Sequence, residues 1–338
     1  MFAIARGCAA LYELIIVGAG PCGIAAALEA RRQGLNYLVL EQGSVCMSLT
    51  KYPIYMTFAS SPEKLELGGH PFPTGGEKPT RLEAIRYFRR VAEVEQINVR
   101  QDEKVVRVEP LGGGGYLVHT RRRNGSEERY EAQNIALAIG YFDKPNMLNI
   151  PGEANPERCT HFYTEPSPYY GMEVAVVGGR NSAVEAALQL YRAGCKVSLI
   201  YRRGELPPSI KPWVRPDIEN RLKTGEIKGY LDTQIVSINP QTVTLERAGQ
   251  TFDIPNDYVF ALTGYSPDQS VLRKLGVIID AETGRPQYSE ATMETNVPGL
   301  FLVGVIAAGY DANKIFIENG RFHGKAVVNA IVSRRAAV

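Results

Sequence analysis

The stretch YELIIVGAGPCGIAAALEARRQGLNYLVLE, residues 12–41, decides the fold of the N-terminal part of the chain. Its apolar start predicts a strand, the turn from Gly18 to Gly23 predicts a phosphate-binding loop, and the apolar repeat that follows predicts a helix ending near Gly34. A second apolar strand ends at Glu41, 23 residues after Gly18. Strand, glycine turn, helix, strand and acid in this order indicate a βαβ dinucleotide-binding unit.

The three glycines and the acid of this unit each have a physical role. Gly18, Gly20 and Gly23 form the pattern G-x-G-x-x-G, which permits a tight turn, a close approach of the backbone to a pyrophosphate, and close helix packing. The helix N-terminus offers free N–H groups and a positive dipole end to that pyrophosphate. Glu41 is placed to accept hydrogen bonds from ribose hydroxyls and would repel a 2′-phosphate. We therefore expect FAD at this site.

A second unit of the same kind occupies residues 173–203, EVAVVGGRNSAVEAALQLYRAGCKVSLIYRR. Gly178 and Gly179 form its turn, but no acid ends its second strand. Arg202 lies 24 residues after Gly178, and Arg203 follows it. Two guanidinium groups at the ribose position suit a 2′-phosphate, so we expect NADPH here, although two arginines at a strand end could also be merely solvated.

The rest of the chain predicts how these units are arranged. The alternating segments between residues 103 and 134 predict a small β-meander on the FAD domain. The C-terminal stretch 295–332 holds one strand, a glycine turn and a helix, which cannot build a nucleotide unit alone, so we expect it to return to the FAD domain. The predicted class is α/β, with two Rossmann-like dinucleotide-binding domains of three layers, each with a parallel sheet. The NADPH domain, 153–267, is predicted to be inserted in an FAD domain made of 12–152 and 268–338.

Composition limits the partners. The chain has 338 residues with 38 Lys and Arg against 36 Asp and Glu, so the near-neutral charge of +2 gives no reason to expect nucleic acid or a membrane surface as a partner. No run approaches 18 apolar residues, and the start MFAIARGCAALYE lacks a signal-peptide core, so we expect a short disordered extension there. The five cysteines are odd in number and include no C-x-x-C, which argues against a disulfide framework or a metal site and favours the reducing cytoplasm.

Six motifs together resemble the bacillithiol disulfide reductase family, within the thioredoxin-reductase-like pyridine nucleotide–disulfide oxidoreductases. They are GPCG, YPIYMTF, ELGGHPFP, HFYTEPSPYYG, FALTGYSPD and GVIAAGYDANKIFIENGRFHG, and the resemblance runs from about residue 12 to 330. Thioredoxin reductases carry a redox C-x-x-C in the nucleotide domain, and this chain has none. The resemblance implies a cytoplasmic, FAD-containing enzyme that uses NADPH to reduce a small-molecule disulfide, bacillithiol disulfide, to two thiols. A homo-oligomer, dimer or tetramer, is also expected.

Cys22, inside the first glycine turn, is the predicted nucleophile. A thiol at a helix N-terminus is expected to have a lowered pKa, and its thiolate would attack one sulfur of the substrate. The alternative is a small residue tolerated in a tight turn. No resolving cysteine is obvious, although Cys46 could approach the same region if it is not simply a packing residue. Val305 replaces the aspartate that usually follows Gly304, and Asp311 or Asn313 could substitute for it.

We expect the two cofactors to be contacted mainly by glycine-turn, strand-end and C-terminal residues, and we expect no metal site. Arg180 is among them, in the place of the second glycine of the G-x-G-x-x-G pattern. The full set is Gly18, Gly20, Pro21, Cys22, Gly23, Glu41, Gln42, Lys51, Thr57, Val106, Gly140, Gly178, Gly179, Arg180, Asn181, Ser182, Arg202, Arg203, Gly264, Gly304, Lys314 and Ile315.

Three other functions compete with a disulfide reductase. A flavin reductase, or a ferredoxin or flavodoxin–NADP reductase, would need no cysteine. A redox sensor would bind both cofactors without turnover. A flavin monooxygenase is disfavoured, because no F-x-G-x-x-x-H run precedes the second glycine turn.

Overall fold

The structure is a computed structural model that describes residues 11–335, apart from the side chain of Asn313. Most of the extension predicted at the N-terminus, including Cys8, lies outside the described residues. The chain forms two compact units. Of the described residues, the first comprises 11–50, Met56–Lys144 and 266–335, and the second comprises Lys51–Tyr55 and Pro145–Tyr265.

Strands and helices are numbered along the whole chain. The strands are β1 (Leu11–Val17), β2 (Tyr37–Leu40), β3 (Val99–Arg100), β4 (Glu103–Pro110), β5 (Tyr116–Arg122), β6 (Glu127–Leu137), β7 (Cys159–Thr160), β8 (Glu173–Val177), β9 (Lys196–Tyr201), β10 (Lys228–Leu231), β11 (Gln234–Ile238), β12 (Thr242–Arg247), β13 (Gln250–Pro255), β14 (Tyr258–Ala261) and β15 (Leu300–Leu302). The helices are α1 (Pro21–Arg32), α2 (Arg81–Val94), α3 (Asn181–Arg192), α4 (Arg215–Thr224), α5 (Gln269–Lys274), α6 (Ile317–Gly320) and α7 (His323–Arg335).

The first unit is built on a seven-stranded sheet. Its order is β3-β2-β1-β6-β5-β4, and β15 pairs with β6. β1 is parallel to β2 and β6, β15 is parallel to β6, and β4, β5 and β6 form an antiparallel meander. Helix α7 packs closely on α1, because a Cβ atom on Gly324 would lie only 2.4 Å from the Cα of Ala26. The C-terminal segment therefore contributes both a strand and a helix to this unit.

The second unit holds a parallel sheet and a smaller antiparallel one. The five-stranded sheet has the order β10-β9-β8-β14-β7, and its four neighbouring pairs are parallel. The three-stranded sheet, β11-β12-β13, is antiparallel. One apolar core lies under α3, and a second is formed with the three-stranded sheet. The strand β8, the turn after it and α3 repeat the arrangement of β1 and α1.

Hydrogen bonds join the chain on both sides of two of the places where it passes between the units, 144/145 and 265/266. In the first unit, the N–H of Ser266 donates to the carbonyl of Lys144 at 3.1 Å, and Nζ of Lys144 lies 2.9 Å from Asp268. In the second unit, the N–H of Asn146 donates to the carbonyl of Gly264 at 2.9 Å. Each unit therefore joins its own incoming and outgoing chain by hydrogen bonds. Within residues 11–335, no helix is long and apolar enough to cross a bilayer.

Candidate dinucleotide sites and their thiol

The turn between β1 and α1 is shaped by close backbone contacts. Gly18 has a φ of +106°, and a Cβ atom there would lie 2.5 Å from the carbonyl oxygen of Ala138. A Cβ atom on Gly23 would lie 2.0 Å from the carbonyl oxygen of Gly18, whereas nothing lies within 4 Å of one on Gly20. The turn is thus closed on the protein side and open at Gly20, next to the N-terminus of α1. This shape fits a pyrophosphate held by backbone N–H groups.

The carboxylate of Glu41 stabilises this turn by accepting backbone hydrogen bonds. One carboxylate oxygen accepts from the N–H of Ala19 at 2.7 Å and the other from the N–H of Gly43 at 2.9 Å. The residue is buried, and burial raises the pKa of its carboxyl, although the backbone hydrogen bonds oppose this effect. Each carboxylate oxygen has a second lone pair, so Glu41 can hold the turn and still accept from a ribose hydroxyl. Gln42, next in the chain, donates to Asp143 at 3.2 Å.

Cys22 is the second residue of α1, and its sulfur lies against the C-terminal segment. A Cβ atom on Gly304 would lie 3.1 Å from Sγ, and one on Gly320 would lie 3.0 Å from it. Although the residue is partly exposed, the sulfur is surrounded by protein atoms, and this burial raises the pKa of the thiol to about 12, with a further contribution from the carboxylate of Glu318. The predicted lowering of the Cys22 pKa is therefore wrong. The sequence also gave no reason to expect Gly320 and Glu318 at this sulfur, although both belong to the quoted IFIENGRFHG motif.

Cys46 lies beside the same turn. Its N–H donates to the carbonyl of Ala19 at 3.0 Å, and its Sγ lies 3.7 Å from that oxygen. The residue is buried, burial raises the pKa of its thiol, and the neighbouring carboxylate of Glu41 adds to this. Cys46 does approach the first glycine turn, but as a packed, neutral thiol.

The C-terminal turn is held by a histidine that the sequence did not single out. The N–H of Gly304 donates to Nδ1 of His323 at 3.1 Å, and burial lowers the pKa of this imidazole, so the neutral form is favoured. Asp311 is exposed and lies 3.8 Å from Nζ of Lys314. Ile315 packs on Gly320. The side chain of Asn313, the other candidate to replace the usual aspartate, lies outside the described part of the chain.

The remaining predicted contacts of the first site are spread along the chain. Pro21 begins α1. Gly140 follows β6 and has a φ of +65°. Thr57 is exposed and bridges to Thr80. Val106 is 45% exposed, at the irregularity of β4, and in residues 11–335 no described hydrogen bond joins Thr57 or Val106 to the glycine turn. Lys51 belongs to the second unit, where its Nζ lies 4.9 Å from the centre of the Phe162 ring.

The second glycine turn, between β8 and α3, is closed in a similar way. A Cβ atom on Gly178 would lie 2.5 Å from the carbonyl oxygen of Leu262, and one on Gly179 would lie 2.6 Å from the ring of Tyr201. Arg180 is exposed at the N-terminus of α3. Arg202 and Arg203 are exposed directly after β9, so the structure brings two guanidinium groups to the end of the strand beside this turn.

Asn181 and Ser182 differ in what they do. Asn181 accepts from the N–H of Lys211 at 2.9 Å and donates to the carbonyl of Ser209 at 3.1 Å, so its side chain holds the 207–213 loop at the start of α3. Ser182 is exposed. Gly264 lies near the crossing to the first unit with a φ of +95°. Among residues 11–335, no cluster of three or more His, Cys, Asp or Glu side chains could hold a metal ion.

Two dinucleotide-type turns on parallel sheets, one with a thiol against it, define a pyridine-nucleotide flavoenzyme architecture. The sequence pattern of the family described as "Pyridine nucleotide-disulphide oxidoreductase" matches residues 15–304, and the chain belongs to that family. The family implies the use of a flavin and a nicotinamide nucleotide. The protein is therefore an oxidoreductase.

Three similar proteins are all named Bdr. The chain is 44% identical to "Bacilliredoxin reductase Bdr" of Bacillus subtilis (strain 168), over 95% of this chain and 98% of that protein. It is similar to the structure "Bacillithiol Disulfide Reductase Bdr (YpdA)" from Bacillus cereus, with a TM-score of 0.92 and 45% identity, over 96% of this chain and 100% of that one. The corresponding Staphylococcus aureus structure gives a TM-score of 0.89 and 38% identity, over 96% and 99%. These likenesses confirm the predicted family and fold class.

Proposed function

We propose that the protein reduces bacillithiol disulfide to two molecules of bacillithiol, with NADPH as the electron donor and FAD as the bound flavin. The balanced reaction is NADPH + H⁺ + RSSR → NADP⁺ + 2 RSH. The observation that carries this proposal is the contrast between the two turns: a buried carboxylate, Glu41, follows the first, and two exposed guanidinium groups, Arg202 and Arg203, follow the second. The names of the similar proteins support the disulfide as substrate.

The first unit is assigned to FAD and the second to NADPH. When bound, NADPH would supply a hydride and FAD would act as a two-electron carrier. Gly18 and Gly23 shape the turn, Gly20 leaves room for the pyrophosphate of FAD, and Glu41 favours a ribose that carries no phosphate. Arg202 and Arg203 hold the 2′-phosphate of the nucleotide.

Cys22 is assigned as the residue that attacks the substrate. Its thiolate bonds to one sulfur of the disulfide, the S–S bond breaks, and the leaving thiolate takes up a proton. The other half stays on Cys22 as a mixed disulfide until two electrons and two protons release it as the second thiol. Because the thiol is neutral near pH 7 in the structure, this attack requires Cys22 to lose its proton once the substrate is present.

The raised pKa of Cys22 favours a second candidate, in which Cys22 only packs the turn. The enzyme would then pass electrons from the flavin directly to its acceptor. In this second candidate the electron acceptor could also be a protein, because the Bacillus subtilis relative is named for bacilliredoxin.

The test is NADPH oxidation against a panel of acceptors: bacillithiol disulfide, a bacilliredoxin, glutathione disulfide, coenzyme A disulfide, cystine and thioredoxin. The wild-type enzyme is expected to prefer bacillithiol disulfide. The Cys22→Ala variant is expected to keep its FAD and to be bleached by NADPH, but to lose disulfide turnover. Normal turnover by this variant would favour the second candidate, and no turnover of bacillithiol disulfide by the wild type would refute the proposed substrate.

We further propose that the enzyme works in the cytoplasm as a homo-oligomer, a dimer or tetramer, without nucleic-acid or membrane partners. The cysteines described, Cys22, Cys46, Cys159 and Cys195, are free thiols, which suits a reducing compartment. Light scattering after gel filtration measures the oligomeric state, and a monomeric mass would contradict this part of the proposal.

A further inference from the structure

The sulfur of Cys22 is covered by two glycines of the C-terminal segment, and the two are held in different ways. Gly320 ends the short helix α6, where its N–H donates to the carbonyl of Phe316 at 2.9 Å. Gly304 begins the 304–308 turn, which follows β15, and has a φ of +78°. A Cβ atom on Gly320 would lie 3.0 Å from Sγ, and one on Gly304 would lie 3.1 Å from it. A helix and a turn therefore each supply half of the cover over the thiol.

A histidine side chain holds the turn. Nδ1 of His323 accepts from the N–H of Gly304 at 3.1 Å. Among the described residues, this is the one hydrogen bond that joins the 304–308 turn to another segment of the chain. The nearest bonds on either side start from the N–H groups of Val303 and Tyr310, outside the turn. The hydrogen bonding that places Gly304 therefore depends on a single side-chain acceptor.

Only the neutral form of His323 can accept this bond. A neutral imidazole has one N–H group and one acceptor nitrogen, whereas an imidazolium has two N–H groups and no acceptor. Since Nδ1 accepts, the ring proton of the neutral form is on Nε2. Burial lowers the pKa of the imidazole, which keeps the acceptor available near pH 7.

Apolar packing fixes the far end of the 304–308 turn. Ile306 and Ala307 are almost completely buried. Gly304 has no side chain that could pack in the same way, and a glycine adopts more backbone conformations than any other residue. If the hydrogen bond to His323 were lost, Gly304 could therefore leave the sulfur while the rest of the turn stayed in place.

We propose that His323 is a positioning residue for Cys22: its Nδ1 holds Gly304 over the sulfur and so controls the access of reagents to the thiol. The inference rests on the proposed function for the role of Cys22 as nucleophile, because a disulfide can reach Sγ only when one of the two covering glycines moves. It gives the histidine of the IFIENGRFHG motif a role that the glycine patterns do not indicate.

The test compares two variants of similar shape. His323→Asn and His323→Leu both replace the ring by a short branched side chain, but only asparagine has an oxygen near the place of Nδ1. Alkylation of Cys22 by iodoacetamide at pH 8 is measured on the FAD-loaded proteins by tandem mass spectrometry that locates the label. His323→Leu is expected to raise the rate about tenfold or more, because a thiol released from burial loses at least one unit of its raised pKa. His323→Asn is expected to stay close to the wild-type rate.

His323→Phe gives a second comparison, because it keeps a flat ring but has no acceptor, and it is expected to behave like His323→Leu. Cys46, which is buried and hydrogen-bonded to the carbonyl of Ala19, is the internal control, and its alkylation is expected to be the same in all four proteins.

Three results would overturn the proposal. The first is a wild-type rate for Cys22 in His323→Leu or in His323→Phe, which would show that the acceptor does not hold the cover. The second is an equal rise in His323→Asn and His323→Leu, and the third is a matching rise at Cys46, which would show a general loosening of the fold. None of these measurements uses turnover, so the Cys22→Ala assay with bacillithiol disulfide decides the proposed function separately.

Discussion

Cys22 is a thiol on which two opposing effects act. A helix N-terminus stabilises a negative charge by about 0.3–1 kcal/mol at exposed sites, which is less than one pKa unit. Burial of an ionisable group shifts its pKa by up to about 3–5 units in the direction of the neutral form. With Sγ enclosed by Gly304 and Gly320, burial outweighs the helix, and the pKa rises to about 12.

The raised pKa predicts how the rate of alkylation of Cys22 depends on pH. Below its pKa, the thiolate fraction grows tenfold with each pH unit, so a pKa near 12 gives a rate that climbs steadily from pH 7 to 10. Alkylation of Cys22 by iodoacetamide, followed by mass spectrometry of the tryptic peptide, is expected to show this rise without a plateau. A free cysteine peptide, with a pKa of about 8.5, is the reference and levels off in that range. A plateau by pH 8 for Cys22 would show an activated thiol instead.

Arg202 and Arg203 predict a preference for NADPH over NADH. Changing both to glutamine removes charge-assisted hydrogen bonds worth about 1.5–3 kcal/mol, so the KM for NADPH is expected to rise about tenfold or more. The KM for NADH, which lacks the 2′-phosphate, is expected to change little. Arg247→Gln, at the exposed end of β12, is the control. An equal rise in the KM for both nucleotides would show that the arginines do not bind the 2′-phosphate.

At the scale of elements, two glycines of the β1–α1 turn have different roles: Gly23 is needed for folding, and Gly20 is open to a ligand. A methyl group on Gly23 would lie 2.0 Å from a backbone oxygen that cannot move without breaking the turn, whereas a methyl group on Gly20 meets nothing within 4 Å. Gly23→Ala is expected to lower the thermal unfolding temperature of the apoprotein. Gly20→Ala is expected to leave that temperature unchanged and to weaken FAD binding, because its methyl group would occupy the open side of the turn.

Calorimetry of the apoproteins and flavin absorbance after FAD titration measure the two effects. Full FAD affinity in Gly20→Ala would show that the pyrophosphate does not approach this residue. An unchanged unfolding temperature in Gly23→Ala would contradict the contact with Gly18.

The glycine turns and the meander could be predicted from sequence because they are local. The pattern of β1, the turn and α1 is set within residues 12–41, and the meander within 103–134. The surroundings of Cys22 could not be predicted in this way, since Gly304 and Gly320 lie 282 and 298 residues further along the chain. The hydrophobic periodicity of a segment does not indicate which distant segment packs on the sulfur of Cys22. That packing determines the pKa of the thiol. The role of Asn181 in holding the 207–213 loop is another tertiary contact that no local pattern indicated.

At the scale of the whole molecule, the first unit is complete without the second. All seven strands of its sheet lie within residues 11–137 and 300–302. The two residues that flank the long insertion 145–265, Lys144 and Ser266, are already joined by a backbone hydrogen bond of 3.1 Å. Since the sheet and its glycine turn need no strand from the second unit, FAD binding and reduction by NADPH are expected to be separable.

Replacing residues 145–265 by a short glycine–serine linker tests this separation. The linker needs to span only the short distance between two hydrogen-bonded residues, so it is expected to close without strain. The shortened protein is expected to bind FAD and to be bleached by dithionite, but not by NADPH, because Arg202, Arg203 and the second glycine turn are gone. The full-length chain, bleached by both reagents, is the control. Bleaching of the shortened protein by NADPH would place the nucleotide site in the first unit, and failure to bind FAD would show that the flavin site depends on the replaced residues.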